Sequence, residues 1–343
     1  MASGGTPYPL SNPLVTGLLV SHRFNAAFGR DFADSAARAG VALEMLVLPA
    51  DPEARMPDAV AARAEIAYFS GDVFPAHSKQ FFSATRKAPA LKWLQVFNAG
   101  VDHPVFASIL ERGVRLTTSS GTAAEPIAQT AITGLLYLAR NFPRWTAGQR
   151  DRVWNPMRSQ EFPRDLRGQV MLVYGLGRIG GEIARLARLL GLHVIGVRRT
   201  VAASADVDEL HAPGKIAALL PRADWLVLAC PLTAETRGLV DGAFLAQLPR
   251  GARVINICRG EVVDEPALIA ALQSGQLGGA YLDVFATEPL PADSPLWDLP
   301  NVVVTPHNAA ASTGNDARIN ALFLDNLKRW REQRPLVNEV TRI

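Results

Sequence analysis

The feature that most constrains the fold of this chain is a glycine-rich stretch running from Val170 to Leu190. Residues 170–174 are apolar and predict a strand that is buried on both faces. Gly175, Gly177 and Gly180 follow in the spacing G-x-G-x-x-G. Apolar residues then recur every three or four positions, which predicts a helix with one buried face. Strand, glycine turn and helix in this order indicate a dinucleotide-binding unit.

Each glycine of this turn has a separate physical role. Gly175 allows the tight turn, Gly177 lets the backbone approach a pyrophosphate, and Gly180 lets the helix pack closely on the strand. The helix N-terminus then directs unpaired N–H groups and positive dipole charge at the phosphates. The alternative is a purely structural turn, because glycine-rich turns are common.

The bulk composition indicates a two-domain globular protein. A chain of 343 residues exceeds one typical core, and its 48% hydrophobic content can fill two. No apolar run reaches transmembrane length, and Met1–Pro9 predicts a disordered lead-in rather than a signal peptide. The net charge is only +3, with basic and acidic residues mixed, so nucleic-acid binding is not expected.

The two cysteines, Cys230 and Cys258, both stand in apolar, strand-like runs. Two buried thiols favour inert packing over a disulfide, and this predicts a protein of the reducing cytoplasm.

The first part of the chain alternates strands and helices, which predicts a parallel sheet covered by helices. The strands are expected at Leu14–Val20, Val41–Leu48, Ala64–Phe69, Leu91–Phe97 and Arg115–Thr118, with a helix at Asn25–Arg38. Ligands of such sheets bind beyond the carboxyl ends of the strands. The loop 98–103 lies at such an end, and Gly100 indicates close backbone approach to a small ligand. The alternative is a tight strand-to-helix turn capped by Asp102.

The second part predicts a doubly wound dinucleotide fold. A long helix is expected at Thr122–Arg140, followed by an irregular excursion over Asn141–Arg167. Six strands are expected at Val170–Tyr174, His193–Val197, Trp225–Ala229, Arg253–Ile257, Ala280–Val284 and Val302–Thr305, the count of that fold. A final helix at Asn315–Arg331 can return to the first domain.

The predicted domains follow from this order. Residues 10–119 form the first part of the substrate (catalytic) domain, and 120–309 form the dinucleotide-binding domain. Residues 310–343 return to the substrate domain. The predicted class is α/β, with two Rossmann-like doubly wound domains, the first discontinuous and completed by the C-terminal helix.

The end of the strand at His193–Val197 indicates which dinucleotide binds. In NAD-binding folds an acidic residue ends this strand and bonds the ribose 2′-hydroxyl. Here the strand ends in Arg198, Arg199 and Thr200. A guanidinium binds a 2′-phosphate with charge-assisted bonds of about 1.5–3 kcal/mol each. The sequence therefore predicts that NADP(H) is preferred over NAD(H) by a factor of about 10 to 100, with NAD(H) also possible. The alternative is that the two arginines are a solvated pair at a strand end.

Three polar side chains follow buried strands and are candidates for catalysis. Arg259 suits a planar substrate carboxylate, held through two bonds. His307 is the natural acid for protonating a carbonyl oxygen. A carboxylate such as Glu288 would orient the ring and favour its protonated form. Taken singly, Arg259 could precede a surface turn and His307 could be structural. No spacing suggests a metal site.

The chain resembles the D-isomer-specific 2-hydroxyacid dehydrogenases over nearly its whole length. The resemblance rests on the motifs Asn98-Ala-Gly-Val-Asp-His103, Val173-Tyr-Gly-Leu-Gly-Arg-Ile-Gly180, Cys230-Pro-Leu-Thr-Ala-Glu-Thr-Arg-Gly238, Asn256-Ile-Cys-Arg-Gly-Glu-Val-Val-Asp-Glu265, Leu282-Asp-Val-Phe-Ala-Thr-Glu-Pro-Leu290 and Thr305-Pro-His307. It implies Arg259 as the binder of the substrate carboxylate and Glu288 with His307 as the acid–base pair. It also implies that backbone N–H groups of Ala99, Gly100 and Val101 contact the substrate.

The resemblance adds cofactor contacts to those of the glycine turn and the arginine pair, and it implies that Asp283 lies near the nicotinamide carboxamide. The predicted cofactor-binding residues are Gly175, Gly177, Arg178, Ile179, Gly180, Arg198, Arg199, Thr200, Cys230, Pro231, Thr236, Ile257, Cys258, Asp283 and His307. The resemblance further implies a homodimer paired through the dinucleotide-binding domain, with no membrane partner.

Two segments depart from the family pattern. Many relatives carry Ala-Glu-His where this chain has Ala128-Gln129-Thr130, and many have Ile or Val followed by glycines where it has 308–315. Both segments lie near the nicotinamide and substrate in the family. No regulatory domain follows Ile343, which argues against the larger phosphoglycerate dehydrogenases.

The predicted function is an NADPH-dependent reductase of small 2-keto acids, similar to the glyoxylate/hydroxypyruvate reductases. Two alternatives stay open at this point. One is a dinucleotide-sensing binding protein of the corepressor type, although the chain has no basic patch. The other is a dehydrogenase for a bulkier 2-keto acid, with Trp154 and the 103–106 region shaping its pocket.

Overall fold

The computed structural model describes residues 15–201 and 204–340. The chain divides into two compact units, one running to Ser120 and resuming at Asp316, the other Gly121–Asn315. The sequence placed these divisions after residues 119 and 309. The predicted lead-in Met1–Pro9, the predicted domain start at residue 10 and Leu14 of the first predicted strand lie outside the described residues.

The first unit is a five-stranded parallel sheet with the strand order β2-β1-β3-β4-β5. Its strands are β1 Thr16–Val20, β2 Leu43–Val47, β3 Ala64–Phe69, β4 Trp93–Val96 and β5 Arg115–Thr117. Its helices are α1 His22–Arg38, α2 Asp58–Ala61, α3 Ser78–Arg86 and α4 Pro104–Glu111. Helix α1 begins three residues before the predicted Asn25, because the Ser21 hydroxyl accepts a hydrogen bond from the Phe24 N–H at 2.9 Å and caps the helix there.

The C-terminal helix, Asn315–Arg331, completes this first unit. The Phe323 ring is fully buried between Tyr68, at a ring-centroid distance of 4.8 Å, and Trp93, at 5.2 Å. Aromatic contacts of this kind add to the free energy of burial. The predicted discontinuous α/β domain is thereby confirmed.

The second unit is a seven-stranded parallel sheet with the strand order β12-β11-β10-β9-β6-β7-β8. Its strands are β6 Val170–Tyr174, β7 His193–Val197, β8 Glu209–His211, β9 Trp225–Leu228, β10 Ala252–Asn256, β11 Leu277–Leu282 and β12 Val302–Val304. Its helices are α5 Ala124–Ala139, α6 Phe142–Asp151, α7 Arg178–Leu189, α8 Ile216–Leu219, α9 Gly242–Ala246 and α10 Glu265–Gln273. The chain leaves β6 toward β7 and then returns to β9 on its other side, which creates the switch point where doubly wound sheets bind ligands.

Two sequence predictions were wrong in this unit. The sheet has seven strands instead of six, because Glu209–His211 adds at the edge beside β7. Its three residues lack the apolar run that marks a buried strand. The segment 141–167, predicted as irregular, contains α6. Pro143 is compatible with this helix because it lies in the first turn, where a missing backbone N–H is tolerated. None of the helices in the described part of the chain is long and apolar enough to cross a membrane.

Glu209 ties this edge strand to its surroundings. Its carboxylate accepts hydrogen bonds from both Nη atoms of Arg222, and it bonds Nε2 of His193 at 2.7 Å and Nε2 of His211 at 3.1 Å. The hydrogen bonds with the Arg222 guanidinium, and to a smaller extent the one with His193, hold the pKa of the Glu209 carboxyl well below its usual range. The ionised form is therefore favoured in the folded state.

We expect Glu209→Gln to lower the free energy of unfolding at pH 7 by about 1 kcal/mol, because the ion pair with Arg222 is lost. The folded-state pKa is depressed, so this contribution is present above the unfolded pKa of about 4.3 and is lost as the pH falls below it. Urea unfolding of both proteins between pH 7 and pH 3 measures the difference. Glu53→Gln, at an exposed carboxylate, is the control; an equal effect there would contradict the prediction.

Candidate active site

The three predicted catalytic side chains all follow adjacent strands of the second unit. Arg259 comes after β10, Glu288 after β11 and His307 after β12. Because these strands are parallel, their carboxyl ends meet at one edge of the sheet.

His307 and Glu288 form a hydrogen-bonded pair. The distance from His307 Nδ1 to Glu288 Oε2 is 2.7 Å, and Glu288 Oε1 accepts the Phe285 N–H at 3.0 Å. Both carboxylate oxygens are thus engaged, and the ring orientation is set through Nδ1. The His307 side chain is 48% exposed, and Nε2 is the ring nitrogen that Glu288 does not engage.

A buried carboxylate holds the backbone on which His307 stands. Asp283 is 2% exposed, and its backbone carbonyl accepts the His307 N–H at 2.8 Å. Its Oδ1 accepts from Thr305 Oγ1 at 2.6 Å and the Asn308 N–H at 2.9 Å, and its Oδ2 accepts from the Ala309 N–H at 3.1 Å. His307 has a positive φ of 50°, which costs a non-glycine residue energy. The bonds to Asp283 stabilise the loop in this conformation.

The same network extends to residues that the sequence analysis did not assign to the site. The Tyr281 hydroxyl lies 2.8 Å from Thr305 Oγ1, and burial raises the pKa of Tyr281 to about 12. The Thr130 hydroxyl, within one of the departing segments, donates to the Ala309 carbonyl at 3.3 Å. Its neighbour Gln129 bonds Glu125 at 3.2 Å. The sequence did carry a signal for Thr305, because it is a polar residue directly after an apolar strand.

Arg259 is positioned by a turn that closes on Asn256, which is 1% exposed. The amide of Asn256 accepts the Cys258 N–H at 3.1 Å and donates to the Arg259 carbonyl at 3.1 Å. A Cβ on Gly260 would lie 1.8 Å from the carbonyl carbon of Phe285. The backbone beside Arg259 therefore packs directly on the loop that leads to Glu288.

The glycine turn has the geometry of a phosphate cradle. Gly175 has a φ of 102°, and a Cβ there would lie 2.5 Å from the Cys230 backbone nitrogen. A Cβ on Gly180 would lie 2.0 Å from the Gly175 carbonyl oxygen. By contrast, apart from Gly177 and its two neighbours in the chain, no described atom lies within 4 Å of a Cβ built on Gly177, the residue before α7. The residues thus leave open space at a helix N-terminus, where anions bind.

The predicted 2′-phosphate residues lie beside this turn. The N–H groups of Gly175 and Leu176 both donate to the Val197 carbonyl, at 2.9 and 3.3 Å, so β7 ends against the turn. Arg198 follows directly and is half-buried, whereas Arg199 and Thr200 are exposed.

The remaining predicted cofactor residues lie at the ends of β6, β9 and β10. Arg178 and Ile179 begin α7, whereas Cys230, Ile257 and Cys258 are buried at strand ends. The Thr236 hydroxyl donates to the Pro231 carbonyl at 2.7 Å and accepts the Thr233 N–H at 2.7 Å. Thr236 therefore shapes the loop after β9. Whether each of these residues contacts a cofactor stays a prediction.

The predicted substrate residues Ala99, Gly100 and Val101 belong to the first unit, in the loop after β4. This loop is fixed by the Asn98 carbonyl, which accepts the Ser119 N–H at 3.0 Å. The cap of α4 is His103 and not Asp102, because His103 Nδ1 accepts the Val105 N–H at 3.2 Å. The sequence alternative therefore named the wrong capping residue, and the substrate contact of this loop stays a prediction.

Comparison with known proteins gives one family. A family model described as "D-isomer specific 2-hydroxyacid dehydrogenase, NAD binding domain" matches residues 132–309. A D-3-phosphoglycerate dehydrogenase of Methanocaldococcus jannaschii is 32% identical over 71% of this chain and 46% of its own length. The chain therefore spans about half the length of this curated relative.

Solved structures match over both units. A D-isomer specific 2-hydroxyacid dehydrogenase from Xanthobacter autotrophicus, crystallised with NADPH and MES, is 31% identical with a TM-score of 0.75, covering 95% of this chain and 97% of that one. An NADPH-dependent glyoxylate/hydroxypyruvate reductase from Sinorhizobium meliloti, crystallised with NADP and sulfate, is 27% identical with a TM-score of 0.75, covering 95% and 98%.

We expect Asp283→Asn to lower the free energy of unfolding by about 1–3 kcal/mol, because an amide NH₂ replaces one buried acceptor and faces a backbone N–H. Urea unfolding measures the change. Asp293→Asn, at an exposed carboxylate, is the matched control. Equal stability of Asp283→Asn and the wild type would show that the carboxylate does not hold the loop.

Proposed function

The chain belongs to the D-isomer specific 2-hydroxyacid dehydrogenase family, as its motifs predicted, and from this premise we propose that it reduces a small 2-keto acid to the D-2-hydroxy acid with NADPH. Glyoxylate and hydroxypyruvate are the proposed substrates. The observation that carries the proposal is the 2.7 Å pair of His307 and Glu288, built on the same sheet edge as the glycine turn.

The roles of the pair follow from its geometry. A bound nicotinamide supplies the hydride for the keto carbon. The carbonyl oxygen then needs a proton, which His307 gives from Nε2, the nitrogen not engaged by Glu288. The Glu288 carboxylate keeps the orientation of the ring through its hydrogen bond with Nδ1. Asp283 positions His307 through hydrogen bonds that it accepts from the backbone of residues 307–309.

Substrate binding is assigned to Arg259 and to the loop of the first unit. The planar guanidinium of Arg259 matches a substrate carboxylate through two parallel hydrogen bonds. We assign the backbone N–H groups of Ala99, Gly100 and Val101 to the same substrate. Holding the substrate by its carboxylate leaves the keto group as the reacting part, which lowers the entropy cost of the reaction.

NADPH is proposed over NADH because of the residues that follow β7. Arg198 and Arg199 offer two guanidinium groups, and Thr200 offers a hydroxyl, where an NAD-specific fold has a carboxylate. The open space at Gly177 fits a pyrophosphate at the N-terminus of α7. Two of the similar structures were solved with NADPH or NADP. A cytoplasmic location stays a prediction.

A homodimer is proposed through the surface around α6. Several large apolar side chains of the described residues are exposed here: Leu136, Phe142, Trp145, Val153, Trp154 and Phe162. Trp154 is 95% exposed, and an apolar surface of this kind marks an interaction site. Sedimentation equilibrium is expected to give twice the chain mass, and the variant Trp154→Arg is expected to shift it toward the monomer. A monomeric wild type would refute this assignment.

The decisive experiment is a panel of 2-keto acids, from glyoxylate to phenylpyruvate, assayed with both cofactors. We expect kcat/KM to be highest with glyoxylate or hydroxypyruvate and to be about 10- to 100-fold higher with NADPH than with NADH. Replacing Arg198 and Arg199 together by Ala should remove this difference mainly by lowering the NADPH value. The NADH value is the internal control.

Each other outcome of the panel has a definite meaning. Best turnover with phenylpyruvate would assign a bulkier substrate. NADPH binding with no turnover of any keto acid would replace the reductase by a dinucleotide sensor. Equal or reversed cofactor values would refute the NADPH assignment.

We expect His307→Ala to lower kcat by about 10²–10⁴, because the proton donor is removed. Glu288→Gln should lower kcat less, since the ring remains but loses its charged partner. Steady-state kinetics, together with NADPH titration by fluorescence, separates chemistry from binding. Near-normal turnover of His307→Ala with intact NADPH binding would remove His307 from the mechanism.

A further inference from the structure

The two cysteines of the chain, predicted to be inert, are neighbours in the structure. Strands β9 and β10 pair in parallel with Leu228 opposite Asn256. Cys230 and Cys258 each stand two residues beyond these paired positions, so they occupy the same register. Both belong to one core cluster, with exposures of 6% and 7%. The two thiols interact closely enough for each to shift the pKa of the other.

We propose that Cys230 and Cys258 are an oxidation site, which peroxide converts into a reversible disulfide at the edge of the sheet that carries the glycine turn. Neighbouring strands lie about 4.8 Å apart, and a disulfide needs Cα atoms about 4.4–6.8 Å apart. The common register of the two cysteines therefore places them near the spacing that a disulfide needs. These are the only two cysteines in the sequence, so an intramolecular product has one connectivity.

The chemistry balances with hydrogen peroxide as the oxidant. The Cys230 thiolate attacks one peroxide oxygen, the O–O bond breaks, and a sulfenic acid and one water form once the thiol proton is counted. The Cys258 sulfur then attacks the Cys230 sulfur, the S–O bond breaks, and a second water leaves with the Cys258 proton. Two thiols and one peroxide thus give one disulfide and two waters.

The surroundings assign the order of attack. The interaction with Cys258 lowers the pKa of the Cys230 thiol, whereas the interaction with Cys230 and burial raise the pKa of the Cys258 thiol. The thiolate is the nucleophile in such reactions, so Cys230 reacts first. Cys258 stays a thiol, with Sγ 3.1 Å from Asn256 Oδ1, until it resolves the intermediate.

The site adjoins the predicted cofactor cradle. The backbone nitrogen of Cys230 lies 2.5 Å from the point where a Cβ on Gly175 would stand, and Cys258 precedes Arg259 in the chain. A disulfide here ties together two strand ends on which the proposed function depends. We expect bound NADP⁺ to slow disulfide formation and the disulfide to weaken NADP⁺ binding. This expectation rests on the proposed function.

The test is the intact mass of the full chain after peroxide treatment, measured under denaturing, non-reducing conditions. We expect the loss of two hydrogen atoms, the loss of both titratable thiols, and full recovery after dithiothreitol. Cys230→Ser and Cys258→Ser are each expected to lose this product, and the double variant controls for oxidation at methionine. Circular dichroism establishes that each variant is folded, and Cys→Ala versions replace any that is not.

The outcomes separate this proposal from the proposed function, because mass and thiol number need neither turnover nor cofactor. Two intact thiols, or cysteines that only gain oxygen atoms or link two chains, would overturn the disulfide. Disulfide formation at the same rate with and without NADP⁺, in protein that binds NADP⁺, would overturn its link to the cofactor site.

Discussion

The arrangement of the candidate site depends on one buried carboxylate. Asp283 accepts three hydrogen bonds through its side chain and one through its backbone carbonyl, all from the segment 305–309. A buried charge is costly unless its acceptor positions are satisfied. Because the observed loop conformation satisfies them, the cost of burying Asp283 becomes a preference for that conformation. The positive φ of His307 is tolerated as part of the same arrangement.

The sequence predicted those parts of the fold that have local physical causes. Val170–Tyr174 is apolar throughout because it is buried on both faces, and the glycines after it have geometries that exclude a side chain at Gly175 and Gly180. The edge strand Glu209–His211 was missed because edge strands need no apolar run; a charged Glu209 stabilises it instead. Helix α6 was missed because the segment 141–167 is polar and contains three prolines, although the proline within the helix, Pro143, lies in its first turn.

The sequence predicted where the candidate residues lie relative to the strands, but it did not predict the contacts that hold them. Arg259, Glu288 and His307 each follow an apolar strand, and that pattern can be read from the sequence alone. The contacts that hold them are long-range: Thr130 bonds a residue 179 positions away. No periodicity encodes such a pair. For the same reason Cys230 and Cys258 looked like separate apolar fillers, since only the pairing of β9 with β10 makes them neighbours.

The contact at Gly260 has a consequence for how this site can diversify. A methyl group at that position would overlap the Phe285 carbonyl group. The separation between the turn that carries Arg259 and the loop that leads to Glu288 is therefore set by direct contact between their backbones. Side chains around the candidate site can therefore change while this backbone spacing stays constant. A mutational library that keeps residue 260 as glycine varies the candidate site on an unchanged backbone, whereas one that varies residue 260 mostly samples a damaged backbone.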